Sequence, residues 1–171
     1  GIFVMQLTLT AVSTLLTGNL PKMLFEYDFF AYQRDQSEPH KKYWENTFAY
    51  YWGWDKDFRV NILIGIMYSK ARGQVISDIL AMLFAFWKNN EKEPDYFFFQ
   101  ILFDIYIKKH EDRNCPIFND CVPHMLRQVI NDKYPYLSVE EILEKTAIHS
   151  LNYKNPKASD NLRALLEDIN Q

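Results

Sequence analysis

The sequence predicts an α/β protein in which a few strands come first and mostly helices follow. Apolar and polar residues alternate over 3–11 and again over 25–32, which is typical of strands buried on one face. The run 61–68 (NILIGIMY) is short and apolar, and it predicts a third strand. After Gly73 the apolar residues recur at intervals of three and four, which indicates helices.

The segments between these strands are of two kinds. The first predicted strand ends at the turn 17–21 (TGNLP), whose glycine, asparagine and proline favour a chain reversal. Residues 33–42 (QRDQSEPHKK) are almost wholly polar, so we expect an exposed loop there. Residues 43–54 (YWENTFAYYWGW) contain seven aromatic side chains. Such a cluster packs in a core or stacks on sugar rings, and composition does not decide between the two.

The helical part has clear boundary signals. The spacing predicts a helix over 75–87, and Pro94 suits the first turn of a second helix that ends at Lys108-Lys109-His110. A short helix is predicted over 125–130. Ser138 and Glu141 match a capping box that opens another helix. A short strand over 148–153 and a last amphipathic helix follow; the apolar positions of that helix are Leu162, Leu165, Leu166 and Ile169.

Composition and charge exclude several classes of protein. The 171 residues fit one domain of ordinary size. With 19 basic and 22 acidic side chains the formal charge is −3, so massed Lys and Arg are missing and we expect no nucleic-acid partner. Cys115 and Cys121 are too few for a disulfide framework, which favours a reducing compartment. Their spacing is also wider than that of a zinc knuckle.

Two groups of residues are candidates for chemistry. Asp95 and Tyr96 stand where a helix is expected to start, so Asp95 either stabilises the helix dipole or offers a carboxylate to a substrate hydroxyl. His149 and Lys154 flank the short strand over 148–153. Together they either lie on the surface or place an imidazole and an ammonium on an anionic group such as a pyrophosphate.

The order of eight motifs carries a family resemblance. They begin with Thr14–Pro21 (TLLTGNLP) and 25–33, and end with Val122-Pro-His124 and Ile148–Lys154 (IHSLNYK). Between them lie Trp44-Glu-Asn, Tyr68-Ser-Lys70, Phe86-Trp87-Lys88 and Asp95-Tyr96-Phe97. Over about 11–155 the chain resembles the capsular polysaccharide synthesis proteins, which are bacterial sugar transferases with a DxD-type nucleotide-sugar site related to glycosyltransferase family 32.

The resemblance implies a fold, a reaction and a set of site residues. It implies a GT-A-like sheet that binds a nucleotide-diphosphate sugar at the carboxyl ends of its strands, with a divalent cation, Mn or Mg, at the diphosphate. The acceptor would be a glycan or a lipid-linked sugar. By the same resemblance Asp95 and Tyr96 are the catalytic candidates and His149 is the metal candidate. The substrate-binding candidates are Trp44, Asn46, Ser69, Lys70, His124, His149 and Lys154.

One departure from the family pattern shapes the expected function. The family has an aspartate at the strand end before the Leu-Thr-Gly-x-Leu-Pro turn, but Ala11 stands at that place and no Asp or Glu occurs between Gly1 and Thr17. We therefore expect residues 1–155 to form a partial transferase domain without its nucleotide-binding part, incomplete or inactive as this chain, followed by a C-terminal helix over 156–171. The alternative is a non-catalytic remnant that binds carbohydrate or a partner. The expected location is cytoplasmic, with peripheral association at the inner face of the membrane.

Overall fold

The computed structural model describes residues 12–17, 19, 22–47, 53–113, 115–131, 134–152, 160–161, 164 and 167. The chain forms two compact units. In its described part, unit 1 comprises residues 22–120, and unit 2 comprises residues 12–19 and 121–167. The strand predicted over 3–11 lies outside the described residues.

Unit 1 is built on a three-stranded sheet. Its strands are β2 (Phe29–Gln33), β3 (Ile62–Ser69) and β4 (Phe118–Asn119). Strand β2 lies in the centre, antiparallel to β3 and parallel to β4. All five β2 residues are buried, as expected for a strand that is covered on both faces.

Helices cover one face of this sheet. They are α2 (Gln74–Trp87) and α3 (Phe98–Lys109), and a shorter helix α1 (Lys41–Thr47) follows β2 in the chain. Alternate β2 residues Phe29 and Ala31 face the helices, and the Phe29 ring lies 5.6 Å from the Phe103 ring. The remaining members of this core are Ile62, Val75, Ile79 and Tyr106. The opposite β2 face holds Phe30 against Phe118 at 5.0 Å.

Unit 2 pairs two strands that are distant in sequence. Strand β1 (Val12–Leu16) lies antiparallel to β5 (Ile148–Asn152), with Leu16 opposite Ile148. Strand β5 also packs against a 3-10 turn (Val122–His124) and against α4 (Met125–Ile130). Helix α5 (Val139–Lys145) opens with the predicted capping box, since Glu141 N donates to Ser138 Oγ and Ser138 N donates to Glu141 Oε2.

The α/β class is confirmed, and so are the elements over 61–68, 75–87, 125–130 and 148–152. The predicted strand over 25–32 is partly wrong: residues Lys22–Glu26 form a 3-10 turn and β2 begins only at Phe29. The reason is that the backbone oxygens of Glu26 and Asp28 are bonded by Lys70, at its Nζ and its N respectively, which holds them outside the sheet.

Two other boundaries differ from expectation. Residues 33–42 are not a uniformly exposed loop, because Gln33, Arg34 and Glu38 are buried and α1 begins at Lys41. Helix α3 begins at Phe98 rather than in the turn after Pro94. Of the last predicted helix, residues 160–161, 164 and 167 are described and are helical. No helix in the described ranges is long and apolar enough to cross a membrane.

Candidate functional site

Ser69 and Lys70 form the turn that joins β3 to α2. Ser69 Oγ donates to Lys70 O at 3.0 Å and to Asp28 O at 3.4 Å. Lys70 Nζ donates to Glu26 O at 3.0 Å and lies 3.4 Å from Asp28 Oδ1. Both polar groups therefore tie this turn to the segment before β2. Their predicted contact with substrate stays a prediction.

Gly73 makes this turn possible. A Cβ at Gly73 would lie 2.8 Å from Ser69 Oγ and 2.9 Å from Asp28 O, which is closer than carbon atoms approach these groups. Gly73 N donates to Lys70 O at 2.9 Å, and Arg72 before it has a left-handed backbone with φ 59°. The close approach of two backbone segments thus requires a residue without a side chain here.

Asp95 and Tyr96 lie on an exposed turn in front of α3. Asp95 Oδ1 accepts a hydrogen bond from Phe97 N at 2.7 Å, and Phe98 N donates to Asp95 O at 3.1 Å. The Asp95 side chain therefore closes the turn, and its Oδ2 has no hydrogen bond among the described residues. Tyr96 is 88% exposed and contacts the Phe97 ring edge-on at 4.9 Å. Both side chains are accessible to a ligand.

The Phe86-Trp87-Lys88 motif packs against Phe98, the residue directly after the Asp95-Tyr96-Phe97 motif. The Phe98 ring lies 4.4 Å from that of Phe86 and 6.3 Å from that of Trp87. The end of α2 therefore packs against the start of α3. The exposed turn with Asp95 is supported by this aromatic packing.

Trp44 and Asn46 lie on α1 and face opposite environments. Trp44 is fully buried and its ring contacts Tyr43 edge-on at 5.2 Å, so it offers no face to a sugar ring. Asn46 is exposed, and its Nδ2 donates to Lys42 O at 2.9 Å within the helix. In the described part of the aromatic cluster, Trp44 is thus a packed, buried residue. The substrate role of both residues stays a prediction.

In unit 2 the pairing of β1 with β5 joins two more motifs. Thr17, in the TLLTGNLP segment, donates its N–H to Ala147 O at 3.1 Å, and its Oγ1 lies 3.0 Å from His149 Nε2. His149 is fully buried, and its Nδ1 has no hydrogen-bond partner among the described residues. His124 is buried in the 3-10 turn that packs against β5. Lys154 lies outside the described residues.

Burial determines the charge state of His149. Loss of hydration lowers the pKa of His149 from 6.5 to about 4, because a buried imidazole resists protonation. At pH 7 the side chain is therefore neutral. A neutral imidazole can form a hydrogen bond with a ligand oxygen, but it has no positive charge to neutralise the negative charge of a diphosphate.

The described residues do not supply a set of ligands for a divalent cation. No group of three or more His, Cys, Asp or Glu side chains within the described ranges is arranged to hold a metal ion. Mn²⁺ and Mg²⁺ prefer several oxygen ligands, and His149 offers one nitrogen beside a hydroxyl. The expected cation at His149 thus stays a prediction.

A buried charged cluster in unit 1 was missed by the sequence analysis. Arg34 Nε lies 3.1 and 3.3 Å from the two carboxylate oxygens of Asp120, and Arg34 Nη1 donates to Gly53 O at 2.6 Å. The guanidinium lies over the rings of Trp54 and Phe58, at 4.8 and 5.1 Å from their centres. Burial raises the pKa of Asp120 to about 6, although Arg34 opposes the rise.

The same cluster extends to a second carboxylate. Glu38 is buried and accepts hydrogen bonds from His40 N and from Asn119 Nδ2. The sequence offers one signal for this charged cluster, which is that Arg34 follows directly after the buried strand β2. The cluster joins the ends of β2 and β4 to the segment 53–58, so its geometry is that of a structural support.

The described fold is an α/β protein whose motif-bearing turns lie at the ends of strands and helices. A model of the family described as "capsular polysaccharide synthesis protein" matches residues 12–169. This match spans most of the chain, which therefore belongs to the capsular polysaccharide synthesis protein family. Membership indicates a role in capsular polysaccharide synthesis. No curated protein and no solved structure matches the chain significantly.

Proposed function

We propose that this chain belongs to a glycosyltransferase that moves a sugar from a nucleotide-diphosphate donor to a glycan or lipid-linked acceptor. The observation that carries the proposal is the family match over residues 12–169. The proposed fold is of the GT-A type. The proposed location is the cytoplasm, with peripheral association at the inner face of the membrane.

Asp95 is the proposed acceptor-side base. Its Oδ1 is held by Phe97 N, which leaves Oδ2 to take the proton of an acceptor hydroxyl. As that hydroxyl oxygen attacks the anomeric carbon of the donor sugar, the bond to the diphosphate breaks and the diphosphate leaves with the electron pair. Exposed Tyr96 would contact the sugars beside it. A positioned base of this kind contributes about 10²–10⁴-fold to the rate.

The diphosphate is proposed to lie at the IHSLNYK segment. His149, neutral at pH 7, would contribute a hydrogen bond, and the positive charge would come from Lys154. The further substrate-binding positions proposed by family resemblance are Ser69, Lys70, Asn46, Trp44 and His124. In the structure Ser69, Lys70 and Asn46 bond backbone oxygens, so a substrate contact would replace those bonds.

The proposal is tested by an Asp95→Asn variant. An asparagine keeps the Oδ1 acceptor for Phe97 N, so the turn is retained while the base is lost. With UDP- and GDP-sugars and added Mn²⁺, release of the nucleoside diphosphate should fall at least about 100-fold. The matched control is Glu93→Gln, which replaces another exposed carboxylate before α3 and should leave the rate unchanged.

Calorimetry with UDP and GDP measures nucleotide binding separately. Equal rates in wild type and Asp95→Asn, together with no nucleotide binding, would contradict the transferase.

A second candidate is a non-catalytic carbohydrate-binding protein. It is favoured by the absence of Asp and Glu between Gly1 and Thr17, where the family has a carboxylate. Titration with capsular oligosaccharides, followed by tryptophan fluorescence, tests it, because Trp87 is 42% exposed. Sugar binding without turnover supports this candidate, and tryptophans that respond to no sugar count against it.

A further inference from the structure

Helix α2 carries an apolar face that remains exposed. We define the exposed α2 face by Leu80, Ala81, Phe84, Ala85 and Trp87. Phe84 is 73% exposed, Leu80 44% and Trp87 42%, and both alanines are exposed. The opposite side of the same helix buries Val75 and Ile79 in the core of unit 1. The exposed face is thus a second apolar surface on a helix that is already anchored.

The spacing of this face is that of a helix–helix contact. Leu80, Phe84 and Trp87 follow one another at intervals of four and three residues, which is the alternation found in paired helices. Ala81 and Ala85 lie beside them and leave room for the large side chains of a partner. The expected occupant of such a face is therefore another helix.

The charges on α2 favour an uncharged partner surface. The only charged residue within α2 is Asp78. Tyr106 donates to its Oδ2 at 2.8 Å, and Arg113 Nη2 lies 3.4 Å from the same oxygen. Lys88 and Lys92 at the end of the helix alternate with Glu91 and Glu93. Within the part of the chain that the structure describes, no basic patch accompanies the exposed α2 face, and an anionic lipid surface would need one.

The arrangement is also symmetric about Phe84. Leu80 lies four residues before Phe84 and Trp87 three residues after it, or roughly 6 and 4.5 Å along the helix axis. A two-fold axis at Phe84 therefore places Phe84 against its own copy and Leu80 against Trp87 of the second chain. In that arrangement the two Lys88 side chains are offset along the axis by roughly 12 Å, beyond the Debye length at physiological salt.

The available area corresponds to a small interface between two copies. Aromatic side chains bury about 150–250 Å² each, so the exposed fractions of the five residues amount to roughly 400 Å² on one copy. Two copies would bury roughly 800 Å² of apolar surface. An interface of this size belongs to the weak end of specific contacts, which fits a dimer that forms at tens of micromolar.

We propose that the exposed α2 face is a homodimer interface, in which the α2 helices of two copies pack antiparallel about Phe84. The proposal concerns self-association and does not depend on the sugar-transferase function. The interface is isologous, so each copy contributes the same five residues. Antiparallel packing also places the positive end of each helix dipole beside the negative end of the other.

Sedimentation of the full chain tests the dimer. The wild type should be a dimer at tens of micromolar, and Phe84→Lys should raise the dissociation constant at least about 100-fold. Ile117→Lys is the matched control: Ile117 is 61% exposed but lies outside α2, and its variant should dimerise like the wild type. A monomeric wild type at 100 µM would overturn the proposal, as would a Phe84→Lys variant that still dimerises. A monomer that sediments with phosphatidylglycerol vesicles would instead assign the face to lipid.

Disulfide trapping tests the antiparallel arrangement. Under mild oxidation Phe84→Cys should cross-link rapidly, because the axis brings the two copies of this position together. Gln74→Cys should not, since its two copies would lie roughly 30 Å apart along the axis, too far for a disulfide. The wild type gives the background from Cys115 and Cys121, which are half-buried and buried. Equal cross-linking at both positions would indicate random collision rather than a specific contact and would overturn the proposed geometry.

Discussion

At the scale of single residues, His149 shows how burial changes the role of a side chain. The residue type suggested a cationic or metal-binding group, but the structure encloses the ring completely and leaves Thr17 Oγ1 at 3.0 Å from Nε2. With its pKa lowered to about 4 by loss of hydration, the imidazole is neutral at physiological pH. His149 therefore acts as a hydrogen-bonding group in the β1–β5 pair.

His149 should make stability depend on pH. The unfolded chain binds a proton near pH 6.5 and the folded chain only near pH 4, so the unfolded state binds more protons between these values. The free energy of unfolding should thus fall as the pH is lowered from 6.5 to 4, by up to about 3 kcal/mol. Urea denaturation of wild type and His149→Gln at several pH values checks this.

The difference between the stability curves of wild type and His149→Gln against pH isolates the contribution of His149. Asp120 is present in both proteins, and its raised pKa changes the stability in the opposite direction. As the pH falls from about 6 to 3.8, protonation of folded Asp120 stabilises the protein. Parallel curves for wild type and His149→Gln would contradict the prediction. An NMR titration of the His149 ring in the wild type gives the pKa directly, even if the glutamine variant folds poorly.

At the scale of elements, the β3–α2 turn is fixed by hydrogen bonds to the backbone of the segment before β2. Ser69 and Lys70 were predicted as ligand-binding residues, and the structure bonds them to Glu26 and Asp28. Gly73 permits this approach, since a Cβ there would lie only 2.9 Å from Asp28 O and 2.8 Å from Ser69 Oγ. The turn positions the start of α2.

Gly73→Ala should destabilise the protein by about 1–3 kcal/mol, because the added methyl group meets a backbone carbonyl that cannot rotate away. Gly65→Ala is the matched control: no atom lies within 4 Å of the position a Cβ would take there. Chemical denaturation of both variants measures the difference. A loss at Gly65 equal to that at Gly73 would show that the effect comes from glycine replacement in general and not from the close approach.

Element types could be predicted from the sequence where the pattern was long and regular. The periodicity after Gly73 predicted α2, and the run 61–68 predicted β3, because each follows from burial of one apolar face. The capping box at Ser138 was confirmed since its two bonds are local. Boundaries failed where a distant contact decides them. Residues 25 and 26 alternate like a strand, yet the turn after β3 holds them in a 3-10 conformation.

At the scale of the whole molecule, the buried Arg34–Asp120 pair connects parts of unit 1 that are distant in sequence. Arg34 reaches Asp120, 86 residues away, and also Gly53 O. The polar stretch 33–42 was predicted to be exposed, because hydrophilic composition normally indicates solvent contact. Only the fold reveals that Asp120 and two aromatic rings surround Arg34, so the sequence alone could not have placed this cluster.

Asp120→Leu should destabilise the protein by about 3–5 kcal/mol at pH 7.5, because it removes the carboxylate that accepts hydrogen bonds from the buried Arg34 guanidinium. Arg34→Met with Asp120→Leu removes both charges and should recover most of that loss. Denaturation of the single and double variants measures both effects. If the double variant were as unstable as the single one, the loss would come from packing and not from the broken Arg34–Asp120 ion pair.

The candidate site was predictable only where local sequence signals determine the structure. Asp95 and Tyr96 were expected at a helix start, and they lie on the exposed turn before α3. Local signals at Pro94 and Asp95 were enough for that. The contact of Thr17 with His149 depends on strands paired across most of the chain, and the full burial of Trp44 depends on the packing around α1. Neither follows from spacing in the sequence.

The pairing of β1 with β5 has a consequence for the order in which the protein is made. Val12 and its partner Asn152 are 140 residues apart, so at about 5–20 residues per second β1 waits roughly 7–30 s on the ribosome before its partner exists. Unit 1 is complete once Asp120 has emerged. During synthesis, therefore, unit 1 can fold while β1 still exposes an unpaired strand edge, which is the form in which strands aggregate or recruit chaperones.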